Sequence, residues 1–131
     1  YLNGFCDVLN NLKQGRSGKP ILPTGSARDV FLHIKPDKLL ETQKLLVKKI
    51  GSKAKIVEIK QAINDGLFGR GKVGKQFLDR AGNLLILPYG NETVWFEHFK
   101  DIYYNPIGQH GGLSPEEMIV PLAITKLDKL K

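Results

Sequence analysis

The feature that most limits the fold is a run of strand, helix and strand between residues 28 and 59. Val30, Phe31, Leu32 and Ile34 form a β-rich run starting near Arg28, and it ends at Lys35-Pro36-Asp37, a helix start signal. Leu39, Leu40, Gln43, Leu46, Val47 and Ile50 then recur at helical spacing, with Lys38, Glu41, Lys44, Lys48 and Lys49 on a charged outer face. Gly51 stops the helix, and the β-branched stretch Ala54 to Ile59 returns as a strand. The unit is β-α-β, and its second strand is free to run parallel to its first.

Downstream, a short helix from Gln61 to Asp65 closes at Gly66, and a glycine-rich bend leads to a helix over Val73 to Ala81. Leu84 to Leu87 is an apolar strand, which Pro88-Tyr89-Gly90-Asn91 turns into Thr93 to Phe96 as a hairpin. Phe99 to Asn105 is aromatic and carries no clear periodicity. Upstream, Leu2, Phe5, Leu9 and Leu12 predict one amphipathic helix over Tyr1 to Gln14, followed by a flexible basic link from Gly15 to Pro20. The expected class is α+β, a mainly antiparallel sheet of four or five strands with helices on one face. Residues 1–20 read as an opening helix and linker, 21–105 as a cap-like α+β domain, and 106–131 as a C-terminal return segment.

The 131 residues carry 20 Lys and Arg against 13 Asp and Glu, a net charge of +7. That is enough to attract phosphate-rich partners, but it does not select one. A single cysteine, Cys6, excludes an internal disulfide, fits a reducing compartment, and reads as a small buried hydrophobe. No apolar run reaches the roughly 18 residues of a membrane span, and no cleavable signal opens the chain. A soluble, cytoplasmic protein with no membrane partner is expected.

The chemistry concentrates in Gly108-Gln109-His110-Gly111-Gly112-Leu113-Ser114-Pro115-Glu116-Glu117-Met118. Glycines on both sides of His110 let the backbone curl and aim one imidazole. Ser114, Pro115 and Glu117 then form a capping box with proline at the first helical position, so one helical turn follows, with Glu116 and Glu117 at its positive end. Pro121 ends it and predicts an extended strand over Ile119 to Thr125. With Pro23-Thr24-Gly25-Ser26-Ala27-Arg28-Asp29-Val30-Phe31-Leu32-His33, Gly66-Leu67-Phe68-Gly69 and Asp79-Arg80-Ala81-Gly82-Asn83, this signature resembles the C-terminal part of type I phosphodiesterase/nucleotide pyrophosphatase proteins of the alkaline phosphatase superfamily.

The resemblance runs from about Leu22 to Leu122 and implies a metal-dependent hydrolase of phosphodiesters or nucleotides. It implies that His110 is a ligand to one of two divalent metal ions, zinc or similar, and that Gly108, Gly111, Gly112 and Ser114 shape its loop. The family's hydroxyl nucleophile, metal-binding aspartates and Asp-His-Gly segment have no counterpart here, so no catalytic nucleophile is assigned. Together with a start at Tyr1, this leads to the expectation of a piece whose first partner is an upstream part of the same polypeptide. One imidazole does not close a metal site, so tight metal binding and turnover are not expected of these residues alone.

Three basic residues are candidates for substrate binding. Arg28 could hold a phosphate bidentately, or tie its loop to a carboxylate of the same fold. Arg70 and Lys72, with Lys75, could attract an anionic substrate from a mobile rim, or simply solvate a loop. Gly66 to Lys72 has Walker spacing, but Val73 stands where a hydroxyl must reach magnesium and a helix precedes the loop; the GxGxxG at Gly69 to Gly74 likewise lacks its strand. His33 and His98 have no partner at ligand spacing. The alternatives are a small basic module binding nucleic acid or another acidic partner, or a non-catalytic scaffold derived from the hydrolase. Scattered basic residues and the absence of a stacking platform argue against nucleic acid.

Overall fold

A computed structural model describes residues 1–99 and 106–126. Its centre is a four-stranded sheet of β1 (Thr24–Ser26), β2 (Asp29–Leu32), β3 (Ala54–Glu58) and β4 (Leu84–Pro88), in the order β1-β2-β4-β3. Every neighbouring pair is antiparallel. The fold is therefore α+β with an antiparallel four-stranded sheet. Because β2 and β3 both oppose β4, they do run parallel to each other, but with β4 inserted between them as in a split β-α-β unit.

Register explains what each face buries. Val30 and Ile56 both lie opposite Ile86, while Phe31 and Val57 lie opposite Leu85, so alternate side chains fall into two apolar layers. On one face Val30, Leu32, Ile56, Leu84 and Ile86 pack with Leu46 of α2 (Leu39–Ile50) and with Val8 of α1 (Cys6–Asn10). On the other, Val57, Leu85 and Leu87 pack with Ile59 and Ala62 of α3 (Ile59–Asn64) and Ala81 of α4 (Lys75–Ala81). Helices thus cover both faces where one was expected. The cause is β4, whose five residues are all buried; a strand apolar at every position needs cover on both sides.

Helix α2 is rotated relative to its apolar spacing. Leu40 and Val47 remain 60% and 51% exposed, whereas Thr42 is fully buried. The Thr42 hydroxyl donates to the Lys38 carbonyl at 2.8 Å and accepts from Asn11 Nδ2 at 3.0 Å, so a polar group enters the core with its bonds made.

The single helix expected over Tyr1 to Gln14 is broken. A 3-10 turn at Leu2–Gly4 is followed by Phe5 at φ −104°, ψ 70°, outside helical space, and α1 spans only Cys6–Asn10. Leu2, Val8 and Leu12 still join the core, and Leu12 bridges Ile34. Cys6 is exposed rather than buried, because Val8 takes the inward position of that short helix. The basic link is a closed turn, with the Gly15 N–H donating to the Lys19 carbonyl at 2.8 Å.

Two predicted strands do not form. Thr93 to Phe96 is not paired beside β4, because β2 and β3 already occupy both of its edges; instead the Val94 N–H donates to the Ala27 carbonyl at 2.9 Å and the Leu2 N–H to the Trp95 carbonyl at 2.7 Å. Ile119 to Thr125 runs without regular structure, leaving Leu122 83% exposed. Of the aromatic stretch Phe99 to Asn105, all but the first residue lies outside the described residues. No helix among the described residues is long and apolar enough to cross a membrane.

Candidate functional site

The site is built where the β1–β2 hairpin meets the return segment. Ser26 and Asp29 close a two-residue turn whose tip is Ala27-Arg28. Asp29 Oδ1 accepts both the Ser26 N–H, at 2.9 Å, and the Ser26 hydroxyl proton, while Ser26 Oγ accepts the Arg28 N–H at 3.1 Å. Such side chain to backbone bonds fix a turn locally. The tip therefore aims the Arg28 side chain outwards along the hairpin, under the return segment.

Glu117 meets it there, from the first turn of α5 (Pro115–Met118). Arg28 Nε donates to Glu117 Oε1 at 3.0 Å and its terminal nitrogen to Oε2 at 2.8 Å, a bidentate pair with side chains 5% and 15% exposed. The other terminal nitrogen donates to the Glu92 carbonyl at 2.6 Å. Glu117 is also the acceptor of the expected capping box, taking the Ser114 N–H at 3.4 Å and the Gly112 N–H at 3.1 Å. The Arg28 guanidinium, more than any other cause, holds the Glu117 carboxyl down to about 2, with the Ser114 and Gly112 bonds adding to it. Arg28 is raised in turn, first by its bond to Glu117.

His110 stands just before this anchorage, exposed, on a loop whose backbone turns through Gly111 at φ 95°. Its carbonyl oxygen lies 3.4 Å from Ser26 Oγ, whose one proton is directed to Asp29. A Cβ at Gly111 would come within 3.1 Å of Ser26 Oγ, and one at Gly112 within 2.3 Å of Glu117 Oε2, whereas one at Gly108 would meet open space. Gly111 and Gly112 are thus constrained by close approach and Gly108 is not. Leu113, next in the chain, packs against the apolar layer formed by Leu85 and Leu87.

The other candidates lie apart. Arg70 and Lys72 are exposed in the 65–74 loop, and among the described residues neither has a hydrogen bond or ion pair. That loop is tied down by Phe68, whose ring centroid is 4.8 Å from Phe77 and 6.3 Å from Phe31. His33 is half-buried beside the Arg80 carbonyl, 3.3 Å from Nε2, and burial pushes its pKa below the ordinary imidazole value. His98 meets the Phe96 ring edge-on at 4.9 Å. A cleft of about 850 Å³ opens beside the anchorage, with Asn91, Thr93, Trp95, Gln109 and Glu116 in its lining.

Among the described residues, no group of three or more His, Cys, Asp or Glu side chains is placed to hold a metal ion. One accessible imidazole suits one coordination position of a zinc-like ion, which needs three or more protein donors. His110 alone does not make such a site. What sequence reasoning misses is the long-range role of Glu117: its place in the capping box and at the helix dipole is visible, but its partner Arg28 is 89 residues away. No protein-family model and no curated protein matches this sequence, and no solved structure matches the fold.

Proposed function

We propose that this chain is the C-terminal portion of a metal-dependent phosphodiesterase or nucleotide pyrophosphatase-like hydrolase, and that His110 is its contribution to a divalent metal centre. The carrying observation is an exposed imidazole on a loop fixed on its C-terminal side by Glu117 and Arg28. The motif order supports the same reading, and the neighbouring cleft is large enough for a nucleotide-sized substrate.

In this reading the remaining ligands and the hydroxyl nucleophile come from polypeptide outside these residues. Bound metal would supply Lewis-acid polarisation of the phosphoryl group. A ring nitrogen of His110 would be one ligand of that centre, and Gln109, its neighbour in the chain, lines the adjoining cleft with Trp95. Arg28, with its nitrogens engaged by Glu117 and the Glu92 carbonyl, is left to anchor the loop. Arg70 and Lys72 remain free to attract an anionic substrate at longer range.

The test is turnover of bis(4-nitrophenyl) phosphate with added zinc or manganese, by the longer polypeptide carrying this segment. His110→Ala should lower it by more than the roughly 10- to 100-fold typical of losing an outer-shell partner. The 131 residues alone should show no turnover. Full activity in the alanine variant would end the hydrolase reading.

A further inference from the structure

We infer that Arg28 and Glu117 form a positioning pair that transmits the shape of the β1–β2 turn to the loop presenting His110. This rests on the reading of His110 as a ligand for its purpose, but its geometry stands independently. The turn is rigid first: Ser26 and Asp29 bond to each other and to the turn backbone. The guanidinium then leaves it in one direction, fixed by the Glu92 carbonyl on one terminal nitrogen. Its remaining edge presents two parallel donors to Glu117, and a planar fork against a carboxylate fixes orientation as well as distance.

Glu117 passes that orientation on. Its oxygens accept the Gly112 and Ser114 N–H groups, closing the chain just after His110. Ser26 Oγ sits by the His110 carbonyl and makes a second point of reference from the same turn. No side chain fits at Gly112 without moving the carboxylate, so the contact is between backbone and carboxylate directly. Neither Arg28 nor Glu117 need touch substrate or metal for this; both act through the loop.

The experiment is NMR on the 131-residue protein, comparing Arg28→Met, Arg28→Lys and Glu117→Gln. In all three, exchange of the Gly112 amide should accelerate roughly ten- to a hundredfold, and the His110 ring resonances should move. The Leu85 and Ile86 amides should change by no more than about twofold, since local opening does not require unfolding of the core. Lysine should not restore the arginine pattern, because it offers a point charge in place of a fork. Unchanged Gly112 exchange in the methionine and glutamine variants would overturn the pair. So would an equal acceleration throughout β4, because the pair would then serve the whole fold. These readouts use no metal, so an active His110→Ala enzyme would remove the hydrolase reading and leave the pair, while an inactive one with unchanged Gly112 exchange would do the reverse.

Discussion

The sheet and the return segment are held by opposite means. In β4 every side chain is buried and both edges are paired, so stability comes from area removed from water, about 1.5–3 kcal/mol for each large apolar side chain. In residues 106–126, Met118, Ile119, Val120 and Leu122 are each more than half exposed. What fastens that segment is a bidentate ion pair, backbone bonds to a carboxylate, and the apolar contact of Leu113. Area gives strength without direction, whereas a forked ion pair gives direction at modest strength. A segment that must present one side chain needs the second kind.

The contrast can be broken most severely at the sheet. Leu85→Ala should cost about 2–5 kcal/mol, read as a lower urea midpoint at unchanged slope. A cost below 1 kcal/mol, on the order of a surface change, would mean that β4 is not the shared core of both layers.

The second test acts on the fastening alone. Arg28→Met should speed limited proteolysis within residues 106–126 roughly ten- to a hundredfold, while the urea transition of the core moves by less than about 0.5 kcal/mol. A large shift in the core transition would erase the distinction between the two regions.

Acid sharpens the same point. Glu117 is held at about 2 in the folded protein against an ordinary value of 4.5, and a depressed carboxyl contributes its stability in full above its unfolded value and loses it as pH falls through the folded one. Docking of the return segment should therefore be constant from pH 7 to about pH 5, weaken below about 4.5 and be lost near 2. The Gly112 amide chemical shift should follow that course, and in Glu117→Gln it should be flat. The smallest effect is expected at the exposed apolar positions: Leu122→Ser should change the unfolding free energy read from urea titration by no more than about 0.5 kcal/mol.

Local rules made much of this legible. A β-rich run marked β2, a β-branched one β3 and an apolar one β4, Pro36 marked the start of the α2 region, and Ser114, Pro115 and Glu117 marked a capping box that forms as read. What escaped was set by distant choices. A turn at Pro88 to Asn91 suggests a hairpin only while β4 has a free edge, and strand order removes it. Thr42 enters the core because Asn11, 31 residues earlier, supplies a donor. Arg28 offered two readings, and the approach of Glu117 across the fold gives its guanidinium a carboxylate partner.

The strand order also bears on how the chain assembles during synthesis. β4 sits in the middle of the sheet but is made last of the four. Until it emerges, β2 and β3 stand two strand spacings apart, roughly 10 Å, beyond hydrogen-bonding reach. A nascent chain ending at Ala81 would leave the inner edges of two apolar strands unpaired, open to any other strand that fits. Leu84 to Pro88 acts as a keystone: β1 pairs with β2 without it, but β2 and β3 join one sheet only when it arrives.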